Sequence, residues 1–172
     1  AFPTPVDIGG LAGDAATPVI VAEPTTGVLH AAWYQNGWGG ITGEIYYARR
    51  PAGGPWGGAE RVTNSPALAG PPQMAVDAIG NVYLVWAEDT TGVPEIYYAR
   101  RAGTWSVPEN ISQSGGVSQD PRIAVHSDGT IHVIWEDDTS TPGILNVYHT
   151  WRYSGWEAAV RISDSSVDVD SL

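Results

Sequence analysis

The chain has 172 residues, 42% hydrophobic and 16% charged, which is enough for a buried core and excludes a disordered chain. Its formal net charge of −11, with eight arginines and no lysine, gives no electrostatic footprint for nucleic acid or an anionic membrane. No apolar run approaches a membrane span. Cysteine is absent, so disulfides, zinc-thiolate centres and cysteine nucleophiles are excluded.

The chain is an internal repeat. Trp33, Trp86 and Trp135 lie 53 and 49 residues apart, and Trp56, Trp105 and Trp156 lie 49 and 51 apart. Pro18, Pro72 and Pro121 keep a similar spacing of 54 and 49. Several independent markers thus agree on a unit of about 50 residues.

In chain order, residues 1–10 come first. Phe2 precedes Ile8 by six residues, as Trp56 precedes Val62 and Trp105 precedes Ile111. Residues 2–9 therefore read as the last strand of a unit whose first three strands are missing. Three full units follow, over residues 17–64, 71–113 and 120–164. Each opens at a proline with a short apolar run, Pro18–Ala22, Pro72–Val76 or Pro121–Val125. A glycine turn leads to a second run ending at tryptophan, Leu29–Trp33, Val82–Trp86 or Ile131–Trp135. A third run follows, Ile45–Arg49, Ile96–Arg100 or Val147–Trp151, and the last piece ends at Thr63, Ser112 or Ser163. Such short runs, rich in β-branched and aromatic residues and bounded by Gly, Asp and Asn, predict strands and no substantial helix. The tail, 165–172, alternates apolar and acidic residues, as a half-buried strand would. In the second run of the middle unit, Val82, Leu84 and Trp86 lie on one side and Tyr83 and Val85 on the other. Both faces are apolar, so this strand belongs to a sheet stacked between other sheets. The fold class is all-β: three four-stranded antiparallel repeats of β-propeller-blade type, plus a surplus N-terminal strand.

The runs Pro121–Val125 with Ile131–Trp135, and Ile96–Arg101 with the following Trp105, resemble the blade repeats of sialidase-like (BNR-type) propellers. The resemblance implies the propeller fold over nearly the whole chain. The sialidase aspartate box has only a distant echo, at Ser127, Asp128 and Gly129 with Trp135. Arg49, Arg50, Arg100 and Arg101 recur at a fixed place in each repeat, as rim decoration would, and the family's catalytic residues are not carried over.

Three units fall short of the usual closed ring, and an unpaired strand or open blade face recruits other chains. The leading reading is a secreted, non-catalytic subunit that assembles with copies of itself, through strand donation or blade stacking, into a filament or multi-chain ring. Phe2, Val6 and Ile8 would form the donated strand, and Val167 and Val169 a second contact. The alternative is a glycan-binding module or a fragment of a sialidase-like protein. Its candidate ligand residues are Trp38, on a glycine-rich loop, and the loop carboxylates Glu88, Asp89, Asp137 and Asp138. Those carboxylates could also hold calcium, and no other cofactor is expected. No nucleophile motif, phosphate loop or metal-ligand cluster is recognisable, so no catalytic residue is assigned. An extracellular or cell-surface location is expected.

Overall fold

The computed structural model describes residues 4–36, 43–90 and 92–163, and among these every regular element is a strand. The strands form three antiparallel sheets in chain order. Blade 1 holds β1 (Ala15–Ala22), β2 (Leu29–Asn36), β3 (Gly43–Arg50) and β4 (Glu60–Arg61). Blade 2 holds β5 (Gln73–Val76), β6 (Val82–Glu88) and β7 (Glu95–Ala102), with two short strands, β8 (Thr104–Trp105) and β9 (Glu109–Asn110), sharing its outer position beside β7. Blade 3 holds β10 (Ser118–Val125), β11 (Ile131–Asp137), β12 (Asn146–Arg152) and β13 (Val160–Arg161). The described residues form no closed ring.

The first strands of blades 1 and 3 begin before their prolines. Thr17 (φ 49°) and Asp120 (φ 48°) take left-handed backbone angles where the pairing of β1 with β2, and of β10 with β11, shifts register. A proline cannot donate to a ladder, and a bulge removes the need.

The core consists of two layers between the sheets. Ala32, Ile45, Tyr47 and Val62 of blade 1 meet Met74, Val82, Leu84 and Trp86 of blade 2. One unit later, Val85, Ile96, Tyr98 and Ile111 of blade 2 meet Ile131, Val133 and Trp135 of blade 3. Period-two alternation sends the two sets of β6 residues to opposite layers. Val82, Leu84, Val85 and Trp86 are fully buried, as a sheet covered on both faces requires.

Each outer strand is fastened by a hydroxyl. Ile45 N–H donates to Thr63 Oγ1 (2.9 Å), Ile96 N–H to Ser112 Oγ (2.8 Å) and Val147 N–H to Ser163 Oγ (3.0 Å). The hydroxyls donate in turn to Glu44, Glu95 and Asn146. Arginines clasp neighbouring blades together. Arg101 lies 5.2 Å from the Tyr47 ring centroid and pairs with Glu60 at 2.9 Å. Arg152 lies 5.7 Å from the Tyr98 ring and pairs with Glu109 at 2.9 Å. Trp105 and Trp156 meet the same two tyrosines edge-on, with centroids 5.2 and 5.0 Å apart.

The surplus N-terminal strand is corrected. Residues 4–14 form no strand, and Val6 is 74% exposed. A strand is a property of a pair, and no described strand pairs with this segment. The segment instead crosses the face of blade 1. Ile8 and Trp33 line one small cavity, and Gln35 Nε2 donates to Ala12 O at 3.4 Å. Ile8 thus lies on the Trp33 side of blade 1, without the ladder.

Candidate functional site

Of the residues singled out in the sequence, Phe2, Trp38, Val167 and Val169 lie outside the described residues. The four acidic candidates do not converge. Glu88 and Asp137 follow their tryptophans by two positions, so strand alternation turns both inward, to 5% and 1% exposure. Trp86 Nε1 donates to Glu88 at 2.7 Å, and Trp135 Nε1 lies 3.4 Å from Asp137. Gln35 fills the same place below Trp33 at 3.1 Å. Asp137 also accepts from Ser118 Oγ and Thr139 N–H, both at 2.7 Å. Burial alone would raise its carboxyl pKa, but the bonds from Thr139 and Ser118 outweigh burial and hold it below the ordinary range. Asp138 accepts from the N–H groups of Val117 (2.7 Å) and Gly143 (2.8 Å), and Asp89 from Gly92 N–H (2.6 Å). These carboxylates organise loops and indoles. Among the described residues no group of three or more His, Asp or Glu is placed to hold a metal ion.

A concavity lies elsewhere, between blades 2 and 3. It is a cleft of about 480 Å³. The β5–β6 turn brings Asp77 and Asn81, strand β6 brings Tyr83, and β7 brings Tyr98 and Arg100. Asp77 accepts from Ile79 N–H (3.0 Å), Asn81 N–H (2.8 Å), Asn81 Nδ2 (2.6 Å) and Tyr83 Oη (2.8 Å). Burial pushes its carboxyl pKa up, yet the bonds from Asn81, Tyr83 and Ile79 prevail and hold it below the ordinary range. Tyr83 stacks on Tyr98 at 6.4 Å, and Arg100 lies 5.9 Å from the Tyr83 ring centroid. The rim is apolar and open, with Ile79 and Val107 each 86% exposed and Tyr153 77% exposed.

The repeat shows what distinguishes this cleft. At the junction of blades 1 and 2, the tyrosine equivalent to Tyr98 is Tyr47. Its hydroxyl shares a 2.7 Å hydrogen bond with His30 Nδ1, and His30 Nε2 lies 3.0 Å from Glu23. That junction is closed on itself. In blade 2, Tyr83 replaces the histidine and spends its hydroxyl on Asp77. Tyr98 is 3% exposed, and no described residue hydrogen-bonds its hydroxyl, which faces the cleft. Desolvation raises the pKa of both buried phenols, that of Tyr47 to about 12, so each is a neutral O–H that can donate. Sequence reasoning missed this site. Its signal lay in two alignment columns, His30/Tyr83/His132 and Tyr47/Tyr98/His149. The paired residues touch, and only the middle unit has tyrosine in both.

No family model matches the sequence, and no curated protein matches it either. Solved structures do match the fold. An endo-arabinase from Bacteroides thetaiotaomicron has a TM-score of 0.61 at 18% identity, over 95% of this chain and 66% of that one. A GH93 α-L-arabinofuranosidase of Fusarium graminearum, in complex with arabinobiose, gives 0.58 at 11%, over 87% of this chain and 49% of that one. A fucose lectin from Kordia zhangzhouensis, in complex with methyl-fucoside, gives 0.53 at 13%, over 84% of this chain and 96% of that one. The chain spans about half to two thirds of the two enzymes and nearly the whole lectin. At these identities the likeness concerns the fold, and it agrees with the three sheets described above: the chain is built of propeller-type blades.

Proposed function

We propose that the chain is a carbohydrate-binding module whose ligand occupies the cleft between blades 2 and 3. The observation that carries this reading is the Tyr98 hydroxyl, which opens on the cleft with no hydrogen bond from a described residue while its equivalent at Tyr47 is satisfied. A hydroxyl that reaches solvent only through a cleft is free to exchange water for a ligand hydroxyl. The cleft otherwise suits a sugar. Aromatic and aliphatic rim groups match C–H faces, and Asn81, Asp77 and Arg100 offer donors and acceptors to hydroxyls. The solved structures of similar fold that hold methyl-fucoside and arabinobiose support the ligand class. Binding is favoured over hydrolysis. A glycosidase needs two carboxyl groups free to act on the substrate, whereas Asp77 already accepts four hydrogen bonds and Glu109 is paired with Arg152. The proposal includes secretion, where such ligands are met.

The test is a glycan array followed by calorimetric titration, with methyl-fucoside and arabinobiose as first probes. One site per chain is expected, weakened at least about fivefold by Tyr98→Phe, which removes one hydrogen bond of about 1 kcal/mol. Tyr153→Ala, on the exposed rim, should weaken it too. No binding to any glycan, or equal affinity in both variants, would overturn the reading.

A second reading is assembly of copies through blade faces. It is favoured by the far face of blade 3, where Ile134 and Ile162 are 38% and 55% exposed.

A further inference from the structure

We infer that the open face of blade 3 receives blade 1 of a second copy of this chain, continuing the two stacked interfaces already inside it. The inference rests on the stacking reading and is independent of the sugar cleft.

The internal interfaces act as the template. In each, one row of a blade lies on the tryptophan-bearing row of the next. Ala32, Ile45, Tyr47 and Val62 lie against Trp86 and Leu84, and their equivalents Val85, Ile96, Tyr98 and Ile111 against Trp135 and Val133. All eight residues of the receiving rows are at most 9% exposed. Blade 3 carries the same row once more, as Ile134, Val147, His149 and Ile162, and no described residue covers it as the next blade covers the other two. An isoleucine row exposed at Ile134 and Ile162 is the same surface lacking its neighbour.

The matching surface is present in the same chain. Blade 1 carries Trp33 where the next blades carry Trp86 and Trp135, and Ala31 where they carry Leu84 and Val133. Trp56 and Arg50 stand where Trp105 and Arg101 clasp Tyr47. Complementary faces at opposite ends of one chain make a head-to-tail contact, which propagates or closes according to its rotation.

Residues 7–13 compete for that face. Ile8 lines one cavity with Trp33, and Val62 and Ile111 share core clusters with Trp86 and Trp135. Ile8 thus takes the place that Ile162 of a second copy would fill. The cover is thin. Three of residues 8–13 are glycine, Leu11 is 40% exposed, and a cavity of about 250 Å³ remains beneath. Stacking therefore displaces a weakly held cap rather than a paired strand, and face contact replaces strand donation as the route to assembly.

The clasp changes at the new junction. Val160 stands where Glu60 and Glu109 pair with arginines, so the contact with Arg50 is apolar. The absence of cysteine allows a direct test. Single variants Arg50→Cys and Val160→Cys, mixed and treated with a short bismaleimide, should cross-link to twice the chain mass. Each alone should not, and Ile134→Glu in the Val160→Cys chain should reduce the yield at least tenfold. Sedimentation equilibrium of the unaltered chain should show its mass rising above 18.2 kDa with concentration. Ile8→Ser with Leu11→Ser, which loosens the cap, should shift that rise to lower concentration. An unvarying 18.2 kDa would sink stacking itself. A rising mass without the mixed cross-link, with equal cross-linking of either variant to itself, or with indifference to Ile134→Glu would overturn the face assignment.

Discussion

Tyr47 and Tyr98 occupy equivalent places in successive blades, and their hydroxyls have opposite fates. Replacing each by phenylalanine keeps the ring, its edge-on tryptophan and its arginine. Only the hydroxyl is lost. At Tyr47 the loss strips a 2.7 Å bond from His30, which is 1% exposed and keeps its other nitrogen on Glu23. Removing one partner of a buried bond costs about 1–3 kcal/mol. At about 1.5 kcal/mol, Tyr47→Phe should lower the Tm of a chain this size by about 3–6 °C. At Tyr98 there is no protein bond to break, so the change should stay within about 0.5 kcal/mol, or stabilise. The assay is thermal unfolding of both variants followed by circular dichroism in one buffer. Equal destabilisation by the two would mean that the Tyr98 hydroxyl is satisfied within the fold, and the cleft would lose its rationale.

Three further outcomes follow from the same contacts. Ser112→Ala removes the hydroxyl that bridges Ile96 N–H and Glu95, which is 5% exposed, and should cost about 1–3 kcal/mol in denaturant unfolding. Burial, only partly opposed by Glu23, depresses the pKa of His30 below its ordinary value near 6.5. The unfolded chain then binds the proton first, so stability is full above that value and falls as pH drops through it toward the depressed one. Melts from pH 7 to pH 5 should show this fall, and His30→Gln should reduce its slope, with His149, also depressed by burial and His132, contributing the remainder. Self-association should strengthen with added salt, because the net charge of −11 repels between copies while the proposed contact lacks the arginine–glutamate pair; sedimentation at two ionic strengths reads this.

Much of the architecture was legible because the repeat is written in large residues. The tryptophan and proline spacings locate the blades, and the two-sided apolarity of Val82–Trp86 identifies a sheet inside a stack. Strand alternation could also have placed Glu88 and Asp137 indoors, since each lies two residues from a core tryptophan. Ending the runs at Trp86 and Trp135 stops the alternation two residues early. The N-terminal segment brings Ile8 to a cavity beside Trp33 but forms no strand, because pairing depends on a partner that composition does not show. The bulges at Thr17 and Asp120 are local backbone solutions to prolines inside strands, and sequence fixes only the need for one. The cleft was least legible. It arises from one exchange in a contacting pair, His30 to Tyr83, which redirects a hydrogen bond and leaves the Tyr98 hydroxyl open. That consequence appears only once the two columns are known to touch.

The central claim, that the cleft between blades 2 and 3 holds a sugar on the open hydroxyl, is tested most directly by a crystal structure of the chain with a glycan selected on the array. The account predicts sugar density in the cleft with a ring hydroxyl within hydrogen-bond distance of Tyr98 Oη and a face against Tyr153. A sugar bound elsewhere on the chain, with the cleft empty and Tyr98 still unpartnered, would contradict it.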